Sequence, residues 1–111
     1  MTLEDIVPSL EICKQIPNES FEDSALVWAV NGSSCFIEQR ELMEYASRSK
    51  ILAPAPTLQE IIDDLTKEEL CPGLEALRKA NGELVYSVYA SDKMKQGSAA
   101  EAALRLWLEL I

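Results

Sequence analysis

The sequence predicts an α+β fold in which an antiparallel sheet of about four strands, built from two hairpins, carries a short central helix and a C-terminal helix. Three observations lead to this prediction: an apolar run that ends in a turn-forming Asn-Gly pair, a second segment with strand-like alternation, and two segments with helical spacing of apolar side chains. The chain has 111 residues, of which 48% are hydrophobic. That length and composition predict a single domain, residues 1–111, with a core of its own.

The first predicted elements are a helix over residues 2–16 and a β-hairpin. Apolar side chains recur at near-helical intervals over 2–16, although the proline within this segment must begin or kink a helix. Residues 25–30 form an uninterrupted apolar run rich in β-formers, and the turn-forming pair Asn31-Gly32 follows them. This order predicts a hairpin whose second strand includes residues 35–37.

Residues 57–65 are predicted to form the short central helix. Thr57 and Glu60 match a capping box, in which the hydroxyl accepts from a backbone N–H of the first turn and the carboxylate reaches back to the cap. The apolar positions of this segment share one helical face: Leu58, Ile61, Ile62 and Leu65. The Pro72-Gly73 pair ends any continuation of the helix.

Residues 83–90 alternate in the manner of a strand and are rich in aromatic and β-branched side chains. The preceding Asn81-Gly82 pair predicts a second hairpin, whose other strand is residues 74–80. Residues 74–80 also contain strong helix formers and few β-formers, so both a strand and a helix remain open for them.

Residues 98–111 are predicted to form the C-terminal helix. Ser98 and Glu101 match a second capping box, and the apolar positions again share one face: Ala100, Ala103, Leu104, Trp107, Leu108 and Ile111. Trp107 lies at the centre of that face and is therefore predicted to be buried in the core. Tyr89, in the strand before this helix, is predicted to be exposed.

The chain is strongly acidic. Ten Lys and Arg residues stand against nineteen Asp and Glu residues, which gives a formal charge of −9. Residues 1–23 sum to −5 and residues 57–73 to −4, because they hold one base with six acids and one base with five acids. This charge opposes attraction to phosphate backbones and to anionic membranes. We therefore expect a protein partner, and neither nucleic acid nor a membrane.

No residue is predicted to be catalytic, to bind a cofactor or to ligate a metal. The sequence contains no histidine, which is the usual general base near neutral pH and the commonest metal ligand. The dense carboxylates after residue 59 are best explained as the exposed face of an amphipathic helix. Exposed side chains are available to a partner, and the predicted partner-binding residues are Glu60, Asp63, Asp64, Glu68, Glu69 and Tyr89.

The three cysteines, Cys13, Cys35 and Cys71, are far apart in the sequence. An odd number of separated thiols is typical of a reducing compartment, and the N-terminus lacks the basic and apolar regions of a secretory signal. The sequence therefore predicts a cytoplasmic protein without a disulfide. Cys35, in an apolar strand, is expected to be an inert hydrophobic residue, and Cys71 to be more accessible.

Two sequence blocks resemble a known family. The first reads APAPTLQEII at residues 53–62, and the second reads SAAEAALRLWL at residues 98–108. Both look like the most recognisable blocks of a family of small uncharacterised proteins that is common in bacteriophages and in prophages of gut bacteria. The resemblance covers the C-terminal half more strongly than the N-terminal half. It implies a phage-associated setting and no known activity.

The sequence therefore predicts a non-enzymatic binding or accessory protein in a phage or prophage setting. An alternative is an acidic decoy that mimics nucleic acid and inhibits a host factor, which requires that the acidic segments 1–23 and 57–73 share one surface. A third hypothesis is a small enzyme that uses carboxylates in a concave pocket. The oligomeric state is left open.

Overall fold

The computed structural model describes residues 6–45 and 49–111 of the chain. Within them the helices are α1 (Leu10–Cys13), α2 (Leu58–Lys67) and α3 (Ala99–Leu110), and a 3₁₀ helix spans Arg40–Tyr45. The strands are β1 (Leu26–Asn31), β2 (Ser34–Gln39), β3 (Lys50–Pro54), β4 (Gly73–Arg78), β5 (Leu84–Ala90) and β6 (Lys93–Gly97). Helices combined with antiparallel strands confirm the predicted α+β class.

The strands form two sheets rather than the single predicted sheet. Each sheet has three antiparallel strands, in the orders β2-β1-β3 and β4-β5-β6. The sequence prediction missed β3 and β6. Prolines in and after β3 make its sequence look like an extended linker, and β6 is rich in lysine and lacks apolar alternation. Both segments become strands because the central strands β1 and β5 present backbone groups that need partners.

The first predicted hairpin is present, but its turn lies one residue further along the chain. β1 and β2 pair as far as Asn31 and Ser34, so the loop consists of Gly32 and Ser33 rather than Asn31-Gly32. Gly32 has a φ of 65°, a left-handed conformation that glycine adopts without a steric penalty. The glycine is therefore in the turn, as predicted, while the asparagine ends the strand.

Of the two alternatives for residues 74–80, the strand is correct as far as Arg78. β4 pairs with β5 along its whole length and completes the second predicted hairpin. At the turn the side chain of Asn81 accepts a hydrogen bond from the N–H of Glu83, and Gly82 takes a φ of 88°. The long-range ladder outweighs the helix propensity of the strand's own residues.

The predicted helix over residues 2–16 is interrupted after Ile6. Its helical positions among the described residues are Ile6 and the single turn α1, and the first five residues of the chain lie outside the described part. Pro8 and Ser9 precede this turn, and Ser9 is extended, with φ −63° and ψ 157°. The proline prevents a continuous helix because it has no N–H to donate.

One of the two predicted capping boxes is formed. Thr57 Oγ1 accepts from the N–H of Glu60 at 3.3 Å, and Glu60 Oε1 accepts from the N–H of Thr57 at 2.8 Å. The prediction of a capping box at the start of α3 is wrong, because the Ser98 side chain makes no capping hydrogen bond. Glu101 instead accepts hydrogen bonds from the N–H and the hydroxyl of Ser9, so a distant segment takes the carboxylate that a local cap would use.

The main hydrophobic core lies where α2 packs against α3 and α3 packs on β5 and β6. Its fully buried side chains include Ile61, Leu65, Val88, Leu104 and Leu106. Burial of each such side chain contributes about 1.5–3 kcal/mol to folding. Trp107 is 2% exposed, which confirms its predicted place in this core.

The half-buried Trp28 connects this core to a smaller one. The smaller core contains Val7, Leu26, Ile37 and Ala55, and Trp28 packs against both groups of residues. Its indole N–H donates a 3.1 Å hydrogen bond to the carbonyl of Pro8, which ties the N-terminal segment to β1. Trp28 therefore contributes one attachment of the sheet β2-β1-β3 to the rest of the molecule, and Ala53 of β3, which is buried in the main core, contributes another.

The three cysteines are free thiols, of which Cys13 is buried and Cys71 is exposed. Cys35 is exposed as well, contrary to the prediction that it is an inert hydrophobic residue less accessible than Cys71. It lies opposite Val30 near the turn of the hairpin, where the side chains of β2 are uncovered. In the described part of the chain no helix has the length and apolar character needed to cross a bilayer.

Candidate functional site

An acidic groove of about 320 Å³ separates the loop 19–24 from helix α2. We call it the acidic groove. Its charged side chains are six carboxylates and one ammonium, a formal charge of −5. The full lining is Glu19, Phe21, Glu22, Asp23, Ser24, Glu60, Asp63, Asp64 and Lys67. Two segments that are acidic in the sequence and more than thirty residues apart therefore meet across one concave surface.

Helix α2 supplies one wall of the groove because Glu60, Asp63 and Asp64 occupy positions i, i+3 and i+4. Asp63 is exposed, and the other two are half-buried. Besides its role in the capping box, Glu60 accepts a 3.1 Å hydrogen bond through Oε2 from the N–H of Ala25. That bond holds the start of α2 against the residue that precedes β1.

Asp64 is held by a core side chain. Its Oδ2 accepts a 2.6 Å hydrogen bond from the indole N–H of Trp107. A buried indole N–H needs such an acceptor, because leaving it unpaired costs roughly 1–3 kcal/mol. The bond fixes the direction of the Asp64 carboxylate, which lines the groove.

The loop 19–24 supplies the other wall, and its backbone is strained. Glu19 and Phe21 have φ values of 77° and 55°, in the left-handed region that a bulky side chain such as Phe rarely adopts. Each such residue costs about 1–3 kcal/mol and persists only where the surroundings impose it. With this backbone conformation Glu19, Glu22 and Asp23 all line the groove.

Arg40 imposes this loop conformation. Its guanidinium donates to the carbonyl of Ser24 at 2.8 Å, to the Ser24 hydroxyl at 2.8 Å and to the carbonyl of Phe21 at 3.2 Å. The backbone N–H of Arg40 also donates to the carbonyl of Ala25 at 2.8 Å. Because the guanidinium is planar and rigid, these bonds fix the positions of the loop atoms that accept them.

The Phe21 ring anchors the loop to the core from the opposite side. It packs on the Trp107 ring with a centroid separation of 4.9 Å and an interplanar angle of 51°, a tilted arrangement that aromatic pairs favour. Trp107 thus contacts both walls, Phe21 through its ring and Asp64 through its N–H. The two walls are therefore held at a defined separation by one buried side chain.

The acidic groove contains three of the six predicted partner-binding residues: Glu60, Asp63 and Asp64. Glu68 and Glu69 are exposed beyond the end of α2 and do not line it. Tyr89 is 45% exposed, as predicted, but belongs to β5, where its ring lies over Gly73. The structure therefore brings together half of the predicted set.

The charged groove residues that the prediction omitted are Glu19, Glu22, Asp23 and Lys67, and the prediction also omitted Arg40, which holds the loop from outside the groove. The three acids lie in the segment 1–23, whose excess of acids was the only sequence signal for them. Nothing local marks Arg40, because its partners are backbone atoms of a loop more than fifteen residues away. A single basic residue at the end of a strand resembles any solvated surface residue.

A second groove, of about 460 Å³, lies between α1 and α3 and has a different electrostatic character. Two of its three acids are paired with bases: Glu109 with Lys93 and Lys95, and Glu101 with Arg105, whereas Glu11 is in none of these pairs. The Lys95 ammonium, hydrogen-bonded to Glu109, holds the pKa of that carboxyl below its ordinary value. The charged side chains that line this groove sum to −1, against −5 for the acidic groove, so the acidic groove is the more negative of the two.

No set of three metal-binding side chains converges in residues 6–45 or 49–111. The buried thiol Cys13 is likewise unsuited to nucleophilic chemistry, since its burial, together with the charge of Glu101, raises its pKa to about 12. Comparison of the chain with models of protein families, with curated proteins and with solved structures gives no match.

Proposed function

We propose that this protein is a non-enzymatic binding protein whose acidic groove receives a positively charged segment of a partner protein. The observation that carries the proposal is the convergence of the carboxylates of loop 19–24 and helix α2 on one concave surface with a single lysine. Lys and Arg side chains have the length and charge to enter such a groove and to donate to several carboxylates at once. The resemblance of two sequence blocks to a phage and prophage family is the reason for seeking this partner in a bacterial host that carries a phage or prophage.

The internal bonds of the groove favour binding over catalysis by carboxylates. Glu60 and Asp64 each accept hydrogen bonds from the protein itself, from Thr57, Ala25 and Trp107. These bonds occupy the carboxylates and hold them in one position, which suits a stationary acceptor for a cation rather than a reacting group. Rigid walls also reduce the entropy that a partner must lose on binding.

The experiment compares two variants that carry the same net charge. The groove variant combines Glu22→Gln, Asp23→Asn and Asp63→Asn, three exposed side chains that line the acidic groove. The control combines Glu11→Gln, Glu68→Gln and Asp92→Asn, three exposed side chains elsewhere. The probe is a fluorescent peptide of alternating Lys and Gly, and its affinity is measured by anisotropy at low and at physiological salt.

We expect the groove variant to bind the peptide about tenfold more weakly than the control, since the removed charges lie at the contact. Equal losses in the two variants would mean that net charge alone attracts the peptide and would overturn the proposal. Affinity capture from a bacterial host with the same variants then identifies the natural partner as the protein that the control retains and the groove variant loses.

A second candidate function is an acidic decoy that occupies the nucleic-acid site of a host factor. It is favoured by the same convergence, because segments 1–23 and 57–73 contribute carboxylates to one face, as a phosphate backbone does. The test adds duplex DNA to the captured complex. Displacement of the protein by DNA, together with a steep fall of affinity with salt, is expected for a decoy. Persistence of the complex in excess DNA would exclude the decoy and leave the first proposal in place.

A further inference from the structure

Strand β4 is an uncovered edge of its sheet. In the described part of the chain its only strand neighbour is β5, and every residue from Leu74 to Arg78 is exposed. Leu74 and Leu77 are 46% and 43% exposed. Helix α3 covers the neighbouring strands β5 and β6 instead. An apolar, unprotected edge of this kind is the usual template for pairing with another strand.

The backbone groups available on this edge follow from the hydrogen bonds of the hairpin. The N–H of Lys79 donates to the carbonyl of Glu83 at 2.8 Å, so the backbone of Lys79 faces β5. Because antiparallel ladders alternate, the groups of Leu77 also face β5, whereas those of Ala76 and Arg78 face outward. A partner strand therefore meets the N–H and C=O groups of Ala76 and Arg78.

The other edge strands lack this combination. β6 carries Lys93 and Lys95, charges of the kind that block edge pairing, and β3 ends at a proline that has no N–H to donate. β2 contains an acid, Glu38, but no base, so two copies of β2 offer no opposite charges to each other. Among these strands, β4 alone combines apolar side chains with both signs of charge: it contains Glu75 and Arg78, and Lys79 directly follows it.

We propose that β4 pairs in antiparallel fashion with β4 of a second copy of this chain, with the two-fold axis at Leu77. In that register Ala76 and Arg78 exchange hydrogen bonds with Arg78 and Ala76 of the second copy. Leu77 lies opposite Leu77, and Glu75 lies opposite Lys79 of the second copy. These last pairs are non-hydrogen-bonded pairs, in which the side chains are closest.

The register is self-complementary in charge. Glu75, Leu77 and Lys79 alternate along the chain and so share one face of the sheet. The two-fold axis repeats each contact, which gives one Glu75–Lys79 pair on each side of the central leucine pair. In an alternative register, in which the axis lies at Glu75, the two Glu75 carboxylates would lie against each other. Charge therefore selects the register, and the product is one continuous six-stranded sheet.

The test measures the oligomeric state of the full chain by sedimentation equilibrium over a concentration series. We expect a monomer–dimer equilibrium for the natural sequence. Glu75→Lys sets an ammonium against Lys79 of the second copy, and Lys79→Glu sets two carboxylates together, so each variant should weaken dimerisation about tenfold. Glu11→Lys, an exposed charge reversal on α1, is the matched control and should dimerise normally.

The next arm mixes the two single variants. Their charges are opposite at both positions, so an equimolar mixture of Glu75→Lys and Lys79→Glu should form a heterodimer as strong as the natural dimer. The decisive arm is the double variant Glu75→Lys/Lys79→Glu, which should recover self-association only in this register, because an axis at residue 75 or at residue 79 would set like charges against each other. Circular dichroism verifies that each variant is folded. A chain that stays monomeric at about 1 mM, or a dimer that neither single variant weakens, would overturn the proposal.

Discussion

The indole N–H of Trp107 donates a 2.6 Å hydrogen bond to Oδ2 of Asp64. Trp107 is 2% exposed, whereas Asp64 lines the acidic groove, so this bond connects the core to the candidate site. Any change that loosens the packing around Trp107 is therefore expected to disturb the position of a groove carboxylate. The reverse holds as well, because removing the carboxylate leaves a buried donor without a partner.

Trp107→Ala should lower the free energy of unfolding by about 3–5 kcal/mol, because the substitution leaves a cavity in the core and removes the ring on which Phe21 packs. Trp107→Phe is the control, since it keeps an aromatic ring and loses the N–H donor, and its loss should be smaller. Urea denaturation measures both. An unchanged midpoint for Trp107→Ala would refute the assignment of this residue to the core.

Asp64→Ala should destabilise the fold by about 1–3 kcal/mol, the cost of an unpaired buried donor. The neighbouring Asp63 accepts a hydrogen bond from the exposed Gln59 side chain, so Asp63→Ala should change stability by no more than about 0.5 kcal/mol. Both variants remove one groove charge, and thermal unfolding in the same buffer separates the structural role from the electrostatic one. Equal destabilisation would contradict the Trp107 bond.

Arg40→Ala should destabilise the protein by about 2–3 kcal/mol, because three hydrogen bonds to the loop 19–24 are lost and relaxation of the strained Phe21 backbone offsets only part of that loss. The loop should also become the first site of cleavage in limited proteolysis. Arg105→Ala, in which the lost ion pair is half-exposed, should stay within about 0.5 kcal/mol of the natural protein. A loop that remains protected in Arg40→Ala would show that the guanidinium does not hold it.

Glu69→Gly should stabilise the protein by about 0.5–1 kcal/mol. Glu69 follows the end of α2 and has a left-handed backbone, with a φ of 62°. Its N–H donates to the carbonyl of Thr66, and the N–H of Leu70 donates to the carbonyl of Leu65. These two bonds form a Schellman motif. Glycine takes this left-handed position without the penalty of about 1–2 kcal/mol that other residues meet. Glu69→Ala removes the same charge but keeps a Cβ, so its stability should be nearly unchanged, and chemical denaturation distinguishes the two.

Maleimide should label Cys35 and Cys71 in the folded protein and leave Cys13 unlabelled. Cys13 is fully buried, and its pKa is raised to about 12, so its thiol stays protonated at the pH of the reaction. Peptide mass spectrometry identifies the modified residues.

The raised pKa of Cys13 also predicts that the stability of the protein falls as pH rises from 9 toward 12, because the unfolded thiol ionises while the folded one keeps its proton. The natural protein should lose more stability over this range than Cys13→Ala does.

Elements that depend on neighbouring residues along the chain could be predicted from the sequence. The capping box of Thr57, the apolar face of α3 and the alternation of β5 are local patterns with periods of a few residues, and each produced the predicted element. The burial of Trp107 follows from the same periodicity. Half of the predicted partner-binding residues lie in the groove for this reason, since Glu60, Asp63 and Asp64 share one face of α2.

The tertiary structure alone decided which distant segments meet. β3 and β6 are strands because β1 and β5 lie beside them, and Glu101 binds Ser9 rather than capping its own helix. The acidic groove likewise exists because Arg40 and Trp107 hold a loop of the N-terminal segment against α2. These contacts join residues that are far apart in the chain, and their energies depend on burial and on available backbone partners. No periodicity in a sequence records such contacts, so the sequence determined the acidic walls and the structure determined that they face each other.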